Sequence, residues 1–355
     1  MKFQINGIQQ LGVGVPDINE AWKWYNNNFG VDVKVVDETA VAQFMLPHTG
    51  GKPRERRAII AISMQGGGGL EIWQHTGKTP EMPKFQIQLG DLGISVGKMK
   101  TLDAQKAYDT FKAKGLNLLT EVVSNPMGTK HFYLMDPYQN IWEFVEDSFV
   151  FDASKGVNGG AFGAVIGVVD VEKSLEVYRD ILGYDVVVYD KEGVFEDFNG
   201  VPGGGDKFRR VLLAMSNPAQ GAFSPLFGPS QIELVQVSGR EPKTIFEGRL
   251  WGDPGFIQVC YDIVNMDDFR EFVASKGYPF TVDSARAAGD FDMGETTGNF
   301  SYIQAPESTL LEFVETLRVP LVKKLGLALD FKKRDPYKPL SRWMLKLLAL
   351  KREKL

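Results

Sequence analysis

An internal repeat is the feature of this 355-residue sequence that most constrains its fold. The segment GVPDINEAWKWYNNNFGVDV, which starts at Gly14, resembles GVVDVEKSLEVYRDILGYDV, which starts at Gly167. The offset of 153 residues holds as far as RRAIIAIS against RRVLLAMS, and it grows to 169 where WEFVE faces LEFVE. A match of this kind indicates a duplicated unit whose second copy has insertions in its loops.

Each copy of the repeat contains two smaller units, and every unit reads as a strand, a helix and several further strands. In the first unit, Asp17 followed by Glu20 is typical of a helix start, and Gly30 is typical of a helix end. The apolar residues between them recur on one helical face. The strand that closes each unit carries a glutamate, at Glu71, Glu143, Glu233 and Glu312.

Composition and charge exclude several classes of protein. No run of about 18 apolar residues could span a bilayer, and the single cysteine, Cys260, excludes an internal disulfide. Residues 317–355 contain 12 Lys or Arg and 3 Asp or Glu, so the net charge of −5 leaves −14 on residues 1–316. An acidic body argues against nucleic acid as a partner. Without a signal-peptide pattern at the N-terminus, we expect a cytoplasmic protein.

The helix signature PDINEAWKWYNNNFGVDV and the closing signature DPYQNIWEFVE, at 136–146, resemble those of the vicinal oxygen chelate family. This family contains glyoxalase I, bleomycin-resistance proteins and ring-cleaving dioxygenases. The resemblance covers about residues 7–316 and implies an α+β fold of four βαβββ modules, which form two tandem glyoxalase-like domains with curved sheets around clefts. The expected domains are 1–150 and 156–317, followed by a basic tail at 318–355.

The resemblance also implies a metal site. Family members take metal ligands from the first strand of each module and from the glutamate of its last strand. Carried over to this chain, the first-half ligands are Gln10, Glu71, Asp91 and Glu143, with Glu143 also acting as the catalytic base. Asp91 departs from the histidine that glyoxalase I uses there. An all-oxygen set suits Mg or Mn, and Ni and Zn are the other candidate ions.

The pairing of the modules stays open at this point. In the second half, the first-strand positions are Gly163 and Phe256, which cannot bind a metal, so that half is expected to have a degenerate site. Some four-module relatives pair the first module with the fourth and the second with the third. The two clefts would then hold Gln10, Glu71, Phe256 and Glu312, and Asp91, Glu143, Gly163 and Glu233.

Two functions from different classes follow from the resemblance. One is a divalent-metal-dependent lyase, isomerase or epimerase that removes a proton next to a carbonyl of a small molecule. The other is a metal-free protein that binds and sequesters a small molecule. A ring-cleaving dioxygenase is disfavoured, because its iron needs two histidines and no histidine occupies a predicted ligand position. Residues expected to line a cleft are His75, Arg57, Glu233 and Glu312.

The basic tail needs its own interpretation. Residues 340–355 predict an amphipathic helix with leucines on one side and Lys or Arg around them. Such a helix can dock on the acidic body, lie on an anionic membrane surface or mediate self-association. Docking on the body is the favoured expectation.

Overall fold

The structure is a computed structural model, and it confirms four modules of mixed helix and strand. It describes residues 3–153, 156–217, 220–289, 291–292, 297–322 and 327–355. Module 1 contains β1 (Gln4–Gly14), α1 (Ile18–Phe29), β2 (Val33–Val41), β3 (Glu55–Ile62) and β4 (Gly69–His75). Module 2 contains β5 (Gly93–Thr101), α2 (Ala104–Ala113), β6 (Asn117–Leu118), β7 (Val123–Ser124), β8 (Lys130–Met135) and β9 (Ile141–Glu146).

The second copy of the repeat has the same order with additional short helices. Module 3 contains β10 (Asn158–Gly167), α3 (Val171–Tyr178), β11 (Val186–Gly193), β12 (Lys207–Ala214), α4 (Ser224–Phe227) and β13 (Gln231–Ser238). Module 4 contains β14 (Gly255–Val264), α5 (Met266–Ser275), β15 (Val282–Asp283), α6 (Ser284–Ala288), β16 (Phe291–Asp292), β17 (Thr297–Gln304) and β18 (Leu310–Val322). The tail adds β19 (Leu327–Asp330) and α7 (Arg342–Lys346).

Each module helix begins where the sequence provides a capping side chain. The caps are Asp17, Asp103, Asp170 and Asn265, and each accepts a hydrogen bond from a backbone N–H of the first helical turn. These bonds satisfy donors that have no partner within the helix. The caps therefore fix the same starting point in all four modules, which makes the modules comparable residue by residue.

The two sheets do not follow the two halves of the sequence. Sheet A has the strand order β15-β17-β18-β14-β1-β4-β3-β2, so it joins module 4 to module 1. Sheet B has the order β11-β12-β13-β10-β5-β9-β8-β6, so it joins module 3 to module 2. The first strands pair antiparallel at both junctions, β1 with β14 and β10 with β5. Each sheet thus crosses the boundary between the predicted domains 1–150 and 156–317, and the pairing is the alternative that the sequence left open.

Modules that are consecutive in sequence contact each other through their helices. The Tyr25 hydroxyl of α1 donates to the Asp136 carboxylate of module 2 at 2.5 Å, and the ring of Tyr25 lies 5.6 Å from that of Trp142. In the second half, the Tyr178 hydroxyl of α3 donates to the Glu307 carboxylate of module 4. The repeated tyrosine therefore has the same structural role in both halves, which is to join two modules that belong to different sheets.

The two sheets also meet through a run of glycines. The Gly68 and Ala161 backbones exchange two hydrogen bonds, of 2.8 and 2.7 Å. A Cβ atom at Gly160 would lie 2.0 Å from the Gly68 carbonyl oxygen, which is far inside van der Waals contact. Glycine is required there because the two backbones approach each other directly.

The basic tail docks on the body. Leu345 is buried in a cluster with Val33 and Phe151, and Arg352 forms an ion pair with Asp32 at 3.0 Å. The helical part is shorter than predicted, because α7 passes into a 3₁₀ turn at Leu347–Lys351. Within the described residues, no helix is long and apolar enough to cross a membrane. Residues 323–326 of the tail lie outside the described residues.

The crossed sheets predict that the first half of the sequence is not an independent folding unit. A fragment of residues 1–150 would leave the β1 and β5 edges without β14 and β10. We expect this fragment to be unfolded as a monomer or to associate through the open edges. Co-expression with residues 151–355 should restore a one-to-one complex with cooperative thermal unfolding. Circular dichroism and analytical ultracentrifugation distinguish these states, and a folded monomer of residues 1–150 would contradict the prediction.

Candidate active site in sheet A and the ionic centre of sheet B

The helix caps define one equivalent position on the first strand of each module. Seven residues before the caps lie Gln10, Val96, Gly163 and Gln258. The strand pairing supports this equivalence. The residues paired in register with Gln10, Val96 and Gly163 each lie two positions before the closing glutamate of the same module. The sequence-based assignment is therefore corrected at two positions: Val96 replaces Asp91, and Gln258 replaces Phe256.

Sheet A brings together two glutamines and two glutamates at its centre. The Gln258 amide donates from Nε2 to Glu71 Oε2 at 2.8 Å and to Glu312 Oε2 at 2.7 Å. The Gln10 amide also donates from Nε2 to Glu71 Oε2, at 3.1 Å. Gln10, Gln258 and Glu312 are buried, whereas Glu71 is partly exposed. The four residues come from modules 1 and 4, and they are related by the approximate symmetry of the repeat.

Neighbouring side chains fix the orientation of the Gln258 amide. Trp251 Nε1 donates to Gln258 Oε1 at 2.7 Å, and the Tyr302 hydroxyl lies 3.1 Å from the same oxygen. An indole nitrogen can only donate, so it identifies the amide oxygen and directs the NH₂ group toward the carboxylates. The Tyr302 hydroxyl also donates to Glu312 Oε1 at 2.8 Å.

Both carboxylates of sheet A have a raised proton affinity. Burial raises the pKa of Glu312 to about 8, and the nearby Glu71 carboxylate contributes to that increase. Burial also raises the pKa of Glu71, although the positive charge of Arg56 opposes this shift. Two neighbouring acids that share the Gln258 amide as a donor form a site that favours a bound proton or a cation.

The corresponding centre of sheet B is filled by a lysine. The Lys98 ammonium lies 2.9 Å from Glu143 Oε2 and 2.8 Å from Glu233 Oε2, and all three side chains are buried. Lys98 is paired in register with Glu143. In sheet A, the residue paired in register with Glu71 is Gly12, so Gly12 is the equivalent of Lys98. The ammonium thus bridges the two closing glutamates of sheet B.

Further buried charges complete this ionic centre. Arg210 Nε donates to Glu233 at 2.7 Å, and its Nη1 atom donates to Asp197 at 2.8 Å. His131 Nδ1 lies 2.5 Å from Glu143 Oε1. Burial by itself would raise the pKa of Glu233, but Arg210 and Lys98 outweigh it and hold the pKa well below its usual range. Burial would also raise the pKa of Glu143, but Lys98 and His131 outweigh it, so the pKa of Glu143 is lowered.

The structure does not bring together the four metal ligands predicted for the first half. Gln10 and Glu71 lie in sheet A, whereas Glu143 lies in sheet B, because each module pairs with one from the other half. Asp91 lies in the turn before β5, where its carboxylate accepts from Arg240 at 2.7 Å and from two backbone N–H groups. Asp91 therefore stabilises the conformation of this turn by hydrogen bonds.

The four residues expected to line a cleft have different positions. Glu312 belongs to the sheet A set and Glu233 to the ionic centre of sheet B. His75 is buried beside the sheet A set, where its Nε2 atom lies 3.1 Å from the Trp251 carbonyl oxygen, and burial lowers its pKa to about 4. Arg57 lies outside the site and pairs with Asp37 at 2.8 Å.

Sequence reasoning missed Gln258, although a signal for it was present. Counting seven residues back from Asn265, which caps α5, identifies Gln258 directly, just as counting back from Asp17 identifies Gln10. Trp251 and Tyr302 carried no such signal, because their roles depend on contacts between distant segments. Within the described residues, no group of three or more His, Cys, Asp or Glu could hold a metal ion.

Comparison with known proteins agrees with this architecture. Residues 7–144 match the family model described as Glyoxalase/Bleomycin resistance protein/Dioxygenase superfamily. The structure of glyoxalase I from Zea mays is 13% identical, with a TM-score of 0.53, over 88% of this chain and 93% of that chain. A putative dioxygenase from Bacillus subtilis is 15% identical, with a TM-score of 0.56, over 88% and 86%. No curated protein sequence gives a match. At these identities, the solved structures show the fold.

The ionic centre predicts a large stability effect for Lys98→Met. Removing the ammonium leaves Glu143 and Glu233 as buried like charges, so the free energy of unfolding should fall by about 3–5 kcal/mol at neutral pH. The control is Lys207→Met, an exposed lysine on β12, which should change it by less than about 0.5 kcal/mol. Urea denaturation followed by circular dichroism measures both variants. Equal effects would contradict a structural role for the Lys98 bridge.

Proposed function

From the match of residues 7–144 to the Glyoxalase/Bleomycin resistance protein/Dioxygenase superfamily model, we propose that sheet A binds a divalent cation and removes a proton next to a carbonyl of a small molecule. The observation that carries this proposal is the convergence of Glu71 and Glu312 on one amide, that of Gln258, within 2.8 Å. The two carboxylates come from opposite ends of the sequence, yet they meet at the symmetric centre of the sheet.

The side chains of sheet A fit a hard divalent cation. Glu71 and Glu312 would supply carboxylate oxygens. Gln10 would supply an amide oxygen once its amide group, whose Nε2 atom now donates to Glu71, turns over. Oxygen donors suit Mg or Mn. A cation would also compensate the negative charges of Glu71 and Glu312, whose pKa values are both raised, chiefly by burial. Three protein ligands leave coordination positions for a substrate, as catalytic sites require. A bound divalent cation would polarise the carbonyl of the substrate and stabilise negative charge on its oxygen.

Glu312 is the residue that takes the proton in this proposal. Its Oε1 atom accepts from Tyr302, and its Oε2 atom accepts from Gln258, so both oxygens are held in defined positions. Hydrogen bonding of this kind orients a general base without a change in the backbone. This role replaces the one predicted for Glu143, which Lys98 and His131 hold as an anion in the buried centre of sheet B.

A metal-binding titration tests the proposal. Full-length protein, purified without a metal-affinity step and stripped with chelator, is titrated with Mn²⁺ by calorimetry and by the electron paramagnetic resonance signal of unbound Mn²⁺. We expect about one Mn²⁺ per chain. Glu71→Gln and Glu312→Gln should each weaken binding at least about tenfold, because each removes a charged oxygen donor.

Two control variants sharpen this experiment. Glu143→Gln changes the closing glutamate of sheet B, and Glu55→Gln changes an exposed glutamate on β3 of sheet A. Both should bind Mn²⁺ as the wild type does. Loss of binding in Glu143→Gln but not in Glu312→Gln would move the site to sheet B. Failure of the wild type to bind Mn²⁺, Mg²⁺, Ni²⁺ or Zn²⁺ would reject metal-dependent chemistry.

A metal-free binding protein is the second candidate, and one observation favours it. Trp251 directs the NH₂ group of Gln258 toward both carboxylates, where it already compensates part of their charge. In that function, the polar side chains of sheet A would hold a small molecule by hydrogen bonds without chemistry. The same titration separates the two candidates, because a metal-free binder shows no Mn²⁺ dependence of ligand binding or of thermal stability.

A further inference from the structure

The docked tail has a second apolar side that the body does not cover. Leu345 packs into the body with 2% of its surface exposed, and Met344 and Leu348 pack partly beside it. Trp343, in contrast, is 67% exposed and Leu350 is 84% exposed. A segment that is apolar on two sides normally has partners on both.

The exposed apolar side chains form one row. Trp343 and Leu347 are four residues apart at the α-helical start of the segment, so they lie on the same side. Leu347 and Leu350 are three residues apart in the 3₁₀ turn, where side chains at this spacing eclipse each other. Leu355 is also exposed. We call the exposed side of residues 342–355 the tail face.

The tail face carries charge of one sign. Its exposed residues are all basic or apolar: Arg342, Trp343, Lys346, Leu347, Leu350, Lys351, Lys354 and Leu355. The acidic residue of the segment, Glu353, turns toward the body, where it pairs with Lys34 at 2.8 Å and accepts from Trp22 Nε1. An apolar row with basic residues beside it complements a partner whose apolar part lies behind a layer of anionic groups.

We propose that the tail face binds the surface of an anionic lipid bilayer. Trp343, Leu347 and Leu350 would enter the level of the headgroups, and Lys354 would reach the lipid phosphates. Lys346 and Lys351, which contact Asp152 and the Val35 carbonyl oxygen, would add positive charge beside them. The body is acidic, with a net charge of −14 over residues 1–316, so electrostatic repulsion would keep it away from the bilayer and leave the tail face as the contact.

The tail is fixed firmly enough to present this face. Arg352 pairs with Asp32 at 3.0 Å, Lys346 pairs with Asp152 at 3.5 Å, and Arg342 donates to the Phe151 carbonyl oxygen. These contacts join the segment to two separate parts of the body. Binding would therefore require no release of the tail from its docked position, and this proposal is independent of the site in sheet A.

Vesicle co-sedimentation of the full-length chain tests the proposal. The probes are vesicles of phosphatidylcholine alone and of phosphatidylcholine with about 30 mol% phosphatidylserine, each about 100 nm in diameter, in low salt and in about 0.5 M salt. We expect binding to the phosphatidylserine vesicles that high salt reduces at least about tenfold, and much weaker binding to phosphatidylcholine alone.

Matched variants identify the surface responsible. Trp343→Ala with Leu350→Ala should lower vesicle binding at least about tenfold, and so should Lys346→Gln with Lys354→Gln. The apolar control is Val187→Ala, an exposed residue on the distant edge strand β11, and the basic control is Lys207→Gln; both should bind as the wild type does. All these positions are exposed, so unchanged thermal midpoints confirm folding.

Three outcomes would overturn the proposal. The first is no binding to phosphatidylserine vesicles by the wild type, and the second is equal binding by the tail-face variants. The third is a dimer in analytical ultracentrifugation that Trp343→Ala abolishes, since a second copy of the chain would then cover the tail face.

Discussion

The antiparallel pairing of first strands, β1 with β14 and β10 with β5, holds the four modules in one structure. Each pairing joins strands from different halves of the sequence, while contacts such as Tyr25 with Asp136 join modules within one half. The two kinds of contact bind every module to two others. Neither half has a complete sheet, and the centre of each sheet, where the candidate site and the ionic centre lie, exists only because the first strands meet there.

The same repeat produces two centres with different chemistry. In sheet A, a Cβ atom at Gly12 would lie 2.8 Å from Gln258 Cγ, so glycine leaves room for that amide. In sheet B, the equivalent position carries Lys98, which fills the space between the closing glutamates. Arg210 pairs with the residue two positions after the closing glutamate of its module. In sheet A the residue with the same pairing is Ala58, so an alanine stands where sheet B has Arg210. Sheet B is thus neutralised from within, whereas sheet A keeps two carboxylates with amide partners.

Charge is also divided between the body and the tail. The acidic residues of the body and the basic tail attract each other, and the docked segment uses some of its charges for ion pairs such as Arg352 with Asp32. Its remaining basic residues lie beside exposed leucines and a tryptophan. The proposed lipid contact and the proposed chemistry are therefore supported by separate parts of the molecule and by different interactions.

The sequence by itself determined the number and type of the modules, their helix starts and the four closing glutamates. These features depend on local patterns, which are caps, periodicity and repeated motifs, so they can be read without long-range contacts. It also contained the signal for Gln258, seven residues before a capping residue, although the assignment to Phe256 overlooked it. The assignment of Asp91 failed for a related reason, because GDLGISV does not mark where its strand begins.

Only the tertiary structure decided which modules share a sheet and which glutamates share a centre. First strands of all four modules offer the same backbone donors and acceptors, so their local sequence does not select a partner in a distant part of the chain. The choice depends on close packing, such as the backbone contact at Gly68 and Gly160, and on buried charge. The buried Lys98 of β5 requires anionic partners, but only the folded chain identifies them as Glu143 and Glu233.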